Sequence, residues 1–189
     1  MTMKWNDTIF AILGLLTTGC NTGYEIKQMI DNSLNHFWKI SYGQIYPTLK
    51  TLTDNELVTV STKTQDGKPD RKEYLITKKG EVALQKWLQT PLNNLPVEKN
   101  ELLLKLFFSR HQDQDSTLTL LNDYFKKLRE RLHTYQSIEE MIQIHHQSAE
   151  DATYWLMTLD YGKHTTTAAM EWCERTIRQI KSNEEEKDE

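Results

Sequence analysis

Between Leu57 and Val58 the spacing of apolar residues changes period, and this change restricts the fold more than any single motif does. Upstream, apolar residues recur every three or four positions in three short segments: Ile9, Ile12, Leu13 and Leu16; Ile26, Met29, Ile30 and Leu34; Ile45, Leu49 and Leu52. That spacing lays one apolar stripe along each of three helices. Downstream the period becomes two. Val58 and Val60 share one face of a strand reaching about Thr64, and Tyr74 and Ile76 share one face of a returning strand. Helical spacing resumes from Thr77 to Leu88.

Local signals set the boundaries. Gly19-Cys20-Asn21 is a tight polar turn; Thr22 with Glu25, and Ser41 with Gln44, have capping-box spacing and open the second and third helices. The outer face of the third helix carries Gly43, Pro47, Lys50 and Asp54, flanked by Gln44 and Tyr46. Pro47 removes a backbone bond and crowds the Gly43 carbonyl, which predicts a kink or a tightened first turn. Residues 65–72, Gln-Asp-Gly-Lys-Pro-Asp-Arg-Lys, are expected to form the loop at the hairpin tip. Three helices, a hairpin and a further helix make a winged helix-turn-helix.

Pro91 to Pro96 forms a linker, so we expect a first domain over residues 1–90 and a second over 91–189. The second is helical. Leu102 to Phe108 has the density of a buried helix. From Thr117, Leu118, Leu121, Phe125, Leu128, Leu132, Tyr135, Ile138 and Ile142 follow a coiled-coil seam, which Ala152, Trp155, Leu159, Ala169, Cys173, Ile177 and Ile180 repeat. Two long amphipathic helices bury such stripes poorly alone, so we expect a homodimer joined through Leu118, Leu121, Phe125, Leu128, Leu132, Trp155, Leu159, Cys173 and Ile177. Overall the fold expected is mainly α with one small β-hairpin.

The net charge of −4 divides unevenly, +2 over residues 1–90 and −6 over 91–189, which leaves the first half free to face a polyanion. Cys20 and Cys173 have no histidine or cysteine partner at metal-ligand spacing and are expected to be buried free thiols. His145-His146 with Glu150-Asp151 makes a poor metal cluster, because adjacent histidines on a helix point about 100° apart. No phosphate-binding glycine loop or nucleophile elbow is present. We therefore expect no enzyme, no cofactor and no metal. A charged-then-apolar leader is lacking and the apolar run Ile9 to Leu16 is too short for a bilayer, so a cytoplasmic protein with no membrane partner is expected.

Several segments resemble the PadR family of bacterial transcriptional regulators: Ile12-Leu13-Gly14-Leu15-Leu16, Thr22-Gly23-Tyr24-Glu25-Ile26, Gly43-Gln44-Ile45-Tyr46-Pro47-Thr48-Leu49-Lys50-Thr51-Leu52, Leu57-Val58, and Asp66-Gly67-Lys68-Pro69-Asp70-Arg71-Lys72-Glu73-Tyr74-Leu75-Ile76-Thr77 running into Lys78-Lys79-Gly80. The length and the helical second half resemble the larger branch of that family, similar to the virulence activator AphA. The family usually has glycine after the recognition helix. Glu56 stands there, so the left-handed cap is expected to shift to Asn55.

The resemblance implies a homodimeric regulator of transcription, usually a repressor, on an inverted-repeat site in double-stranded DNA. In a helix-turn-helix the second helix of the motif enters the major groove, which assigns Ser41, Tyr42, Gly43, Gln44, Tyr46 and Lys50 to that contact. Gln44 either pairs with adenine or closes the cap on Ser41; Tyr46 either meets DNA or packs on the wing. Tyr24 and Lys27 are placed for phosphate, and Lys68, Arg71 and Lys72 for the backbone or minor groove beside the wing. The aromatic residues Tyr135, Trp155 and Trp172 either pack in the core or the dimer contact or line a pocket at the subunit interface for a small-molecule effector. The alternative function is a winged-helix protein-interaction module without direct DNA binding.

Overall fold

The computed structural model describes residues 5–65, 68–95, 97–146 and 149–185, with side chains described at all of these except 65, 68–70 and 183–185. The chain separates into two compact units, Met1–Leu95 and Pro96–Glu189.

The first unit runs α1 (Asp7–Thr17), α2 (Gly23–Asn32), a 3-10 turn at Leu34–His36, α3 (Tyr42–Asp54), β1 (Val58–Gln65), β2 (Lys68–Ile76) and α4 (Lys78–Leu88). Ile12, Leu13, Ile26, Ile30, Ile45, Leu49 and Leu52, the inward stripes of three helices, are almost wholly buried with Val58 and Tyr74. Leu34 lies beyond the end of α2 yet still packs against this core. α2 begins with a full capping box, the Thr22 hydroxyl accepting from the Glu25 N–H and the Glu25 carboxylate from the Thr22 N–H. α3 continues unbroken through Pro47.

The hairpin is longer than its sequence indicates. β1 and β2 pair antiparallel from Val58 opposite Ile76 to Lys63 opposite Arg71, then shift register so that Gln65 faces Lys68. The expected loop over 65–72 is thus mostly strand, and Arg71 and Lys72 sit on β2. A two-stranded hairpin leaves alternate backbone groups outside the ladder, so Pro69 fits an edge without ending the strand. The Tyr74 N–H donates to the Asn21 carbonyl at 2.7 Å, hooking the hairpin onto the turn between α1 and α2.

Glu56, not Asn55, takes the left-handed conformation, with φ of 60°; Asn55 has φ of −99°. The Leu57 N–H returns to the Leu52 carbonyl and the Glu56 N–H to the Thr53 carbonyl, the paired bonds of a Schellman cap. Burying Leu57 fixes where that cap falls, and residue preference yields to it. The Glu56 side chain is exposed and meets Lys79 at 2.9 Å. An exposed ion pair adds little, so relief of backbone strain decides the outcome: Glu56→Gly is expected to raise the melting temperature by a few degrees in a thermal denaturation, and an unchanged or lower value would remove the strain from the account.

The second unit runs α5 (Glu101–Phe107), a 3-10 turn at Ser109–His111, α6 (Gln114–His145) and α7 (Ala152–Glu185). α6 and α7 are antiparallel: Gln114 Nε2 donates to the Ile180 carbonyl at 3.0 Å near one end, and Lys163 Nζ meets Glu139 at 2.8 and 2.6 Å near the other. Leu102, Leu121, Leu128 and Cys173 form the core, with Phe125, Trp172 and Ile177 packed on it. Three residues of the expected dimer seam are taken up within the protomer. Leu121, Leu128 and Cys173 are buried inside the protomer, because α7 folds back along α6 and covers the stripe, while Leu118, Leu132, Trp155 and Leu159 are half-buried. α5 is likewise not a buried helix: Leu102 turns inward, but Leu103, Leu104, Phe107 and Phe108 are exposed. Burial pushes the Cys173 thiol above its ordinary value. No described helix is long and apolar enough to cross a membrane.

Candidate nucleic-acid interface

The outer face of α3 stands in solvent along its length. Tyr42, Gly43, Gln44, Tyr46, Pro47 and Lys50 are exposed, opposite the buried Ile45, Leu49 and Leu52. Gln44 does close the cap on Ser41: its Oε1 accepts from both the Ser41 N–H and the Ser41 hydroxyl at 3.0 Å. Its amide NH2 has no partner among the described residues, so the cap and an outward-facing donor coexist. Tyr46 does not stand in solvent alone: burial and then the nearby Tyr46 phenol hold the phenol of Tyr74 on β2 above its usual range. The Tyr46 ring covers Gly23 at the start of α2, where a β-carbon would come within 2.7 Å of its Cε1.

Tyr42 ties α3 to α2. Its hydroxyl donates to Asp31 at 2.7 Å and the Lys27 ammonium lies 4.3 Å from its ring centroid. The hydrogen bond to Asp31 holds the Tyr42 phenol above its usual range. Lys27, a half-buried residue, is therefore placed by a cation–π contact. Tyr24, one turn before, is exposed and accepts from Gln28 at 3.1 Å.

On the wing Arg71 is held. Its Nη2 donates to Glu25 Oε1 at 3.0 Å and its Nε lies 3.5 Å from Glu73, which also meets Lys63 at 2.7 Å. Lys72 is exposed and makes no ion pair among the described residues. The side chain of Lys68 lies outside the described residues.

The spacing of residues gave Tyr24, Lys27 and the α3 face, but not Lys63, Gly23 or Glu25. Lys63 was hidden because its place opposite Arg71 depends on the hairpin register. Glu25 was legible as a cap residue only. Its carboxyl is held below the usual value of 4.5 chiefly by the Asn21 N–H; burial, the next largest effect, opposes this, and Thr22 and Arg71 add smaller lowering contributions. A depressed folded value means that its stabilisation is complete above 4.5 and fades as pH falls through the lower folded value. The Asn21 and Thr22 amide shifts should therefore titrate with a midpoint below 4.5, and a midpoint at or above it would contradict the cap.

Within one protomer the aromatic trio is spread along α6 and α7. Tyr135 is buried beside Gly162, Trp155 meets His146 edge-on at 6.1 Å, and Trp172 lies on the core around Cys173. The 17 helical residues from Trp155 to Trp172 separate those two by about 25 Å.

Residues 12–86 match the transcriptional regulator PadR-like family and residues 98–181 the virulence activator alpha C-terminal family. The negative transcriptional regulator PadR of Bacillus subtilis is 32% identical over 166 residues, 86% of this chain and 87% of that protein. The chain belongs to the PadR-like family of transcriptional regulators. The crystal structure of B. subtilis PadR in complex with operator DNA is similar, with a TM-score of 0.82 and 30% identity over 93% of this chain and 99% of that one. Its complex with p-coumaric acid gives 0.78 at 29% identity over the same shares of the two chains. The Vibrio cholerae virulence activator AphA shares the fold, at 0.71 and 24% identity over 92% of this chain and 98% of that one. As members of the PadR-like family are regulators, the chain is not an enzyme. Its architecture is a winged helix-turn-helix followed by a helical unit.

Proposed function

We propose that this PadR-like regulator binds double-stranded DNA through its first unit, α3 entering the major groove and the wing lying on the adjacent backbone. The observation that carries this is the outward placement of Tyr42, Gly43, Gln44, Tyr46 and Lys50 on one face of α3, with Tyr24 of α2 and Lys72 of β2 also exposed in the same unit. A face built for stability alone has little use for an exposed glycine, proline and two tyrosines on one helix. The B. subtilis relative bound to operator DNA supports the same use.

The second unit serves self-association, and two copies acting in the cytoplasm read an inverted repeat whose half-sites lie about 34 Å apart or a multiple of that. With Leu121, Leu128 and Cys173 turned inward, the exposed Leu104 and Phe107 of α5 and Phe108 just after it supply the apolar surface for it. Repression is the outcome, as the description of the B. subtilis relative as a negative regulator supports. Response to a small molecule rests on that relative's p-coumaric acid complex. Release of bound DNA on adding p-coumaric acid tests it; unchanged binding at millimolar acid would exclude that compound as the effector.

The deciding experiment measures binding to DNA from upstream of the protein's own gene at several salt concentrations. Wild-type affinity should fall steeply with salt. Lys72→Ala should weaken binding evenly across sequences and lower the salt slope by about 1, while Lys50→Ala should relax preference at one position by about 1–3 kcal/mol. No binding to any duplex at low salt would overturn the proposal in favour of a protein-interaction module.

A further inference from the structure

We propose that the first turn of α2 is a seat which sets two DNA-facing side chains from other elements, Gly23 holding the Tyr46 ring of α3 and Glu25 holding Arg71 of the wing. The inference rests on the DNA-binding proposal and adds to it two positioning residues that need touch no base.

Gly23 is not a glycine for reasons of backbone conformation. It is the first residue of α2, and among the described glycines only Gly19 has positive φ. Alanine is the better helix former. What alanine lacks is room: its Cβ would lie 2.7 Å from Tyr46 Cε1, 2.9 Å from Cζ and 3.0 Å from the hydroxyl oxygen. The edge of the tyrosine ring occupies the volume that any other side chain at position 23 needs. α3 cannot retreat, because Ile45 and Leu49 on its inner face are 1% and 0% exposed. The ring, 62% exposed, is what moves.

Glu25 makes the matching contact to the wing. Its Oε2 accepts from the Asn21 N–H at 2.9 Å and the Thr22 N–H at 3.1 Å, so two backbone donors fix the carboxylate. Oε1 then takes the Arg71 guanidinium, 46 positions along the chain. Neither Arg71 Nη1 nor the second hydrogen on Nη2 is used by Glu25 or Glu73, which leaves donors for a phosphate while the side chain stays anchored. One helical turn thereby orients groups from the recognition helix and the wing before DNA arrives, which lowers the ordering cost at binding.

The test uses the full chain and a pool of randomised duplexes. Wild type selects a preferred duplex, and its affinity for that duplex is compared with its affinity for the pool. Gly23→Ala should cut the ratio about tenfold, with a melting temperature equal to or above wild type, and should have no further effect in a Tyr46→Ala background. Glu25→Gln keeps an oxygen for the backbone donors and removes the charge; it should lower the ratio while raising affinity for the pool, and its effect on the ratio should vanish in an Arg71→Ala background. Effects that stay the same when the partner side chain is absent overturn the seat. If wild type binds every duplex alike, sequence reading is absent, and if it binds none at low salt, the DNA-binding proposal itself fails. The seat is then judged in melting temperature, where additive effects of Gly23→Ala and Tyr46→Ala would reject it.

Discussion

Gly80→Ala is expected to unfold the first unit under conditions where the wild type is fully folded. A β-carbon at position 80 would lie 2.2 Å from the Leu57 carbonyl oxygen and 2.8 Å from Ile76 Cγ1. The first of these is backbone and cannot rotate away. The same carbonyl accepts the Thr77 N–H at 2.9 Å, and the Leu57 N–H closes the α3 cap, so movement of that peptide would disturb the end of α3 and the start of α4 together. Overpacking at a site that cannot yield costs about 3 kcal/mol or more, a large part of a small domain's stability. Circular dichroism should show a transition for the first unit at much lower temperature, loss of DNA binding, and retained helicity from α6 and α7. A wild-type melting curve would show that the helix and the strand do not approach as described. Gly23→Ala, whose added methyl has its nearest neighbours on the exposed Tyr46 ring, should lack this effect, so the two glycines separate rigid from yielding neighbours.

Leu121→Ala is the corresponding experiment for the second unit. Leu121 is fully buried between α6 and α7 with Cys173 and Leu128. Truncation there removes about 3 kcal/mol, with the upper end of the range reached where the cavity cannot collapse. For a unit of this size the melting temperature should fall by roughly 15 °C. The loss should also be present at the lowest protein concentrations, because the contacts are within one chain. A loss that shrank on dilution would place Leu121 at the contact between two copies.

Both substitutions touch what the sequence alone left open. Helical and strand periods were legible because each element must present one apolar stripe to a core, and Thr22, Ser41 and Thr77 mark where helices begin. A stripe does not name its partner, however. Leu121, Leu128 and Cys173 have the spacing of a coiled-coil seam whether a second chain or the chain's own next helix covers them. The same limit applies at the interface. Tyr46, Arg71 and Lys27 were recognisable as polar or aromatic groups on exposed faces, whereas their anchors at Gly23, Glu25 and Tyr42 depend on the angle between elements and on hairpin register. Glu56 shows a third kind of blindness: intrinsic preference favours Asn55 for a left-handed residue, but the position is dictated by a burial requirement one residue further on.

Cys173 is a buried free thiol as expected, but Cys20 is only half-buried, and the two form a pair of independent clocks. Cys20 belongs to the first unit and Cys173 to the second. A thiol reagent can reach Cys173 only when α6 and α7 part, and the raised thiol value keeps the reactive thiolate scarce even then. Its modification rate under native conditions therefore reports the opening free energy of the second unit without added denaturant. Wherever a ligand, a DNA duplex or a second copy of the chain stabilises one unit and not the other, the ratio of the two labelling rates will show which.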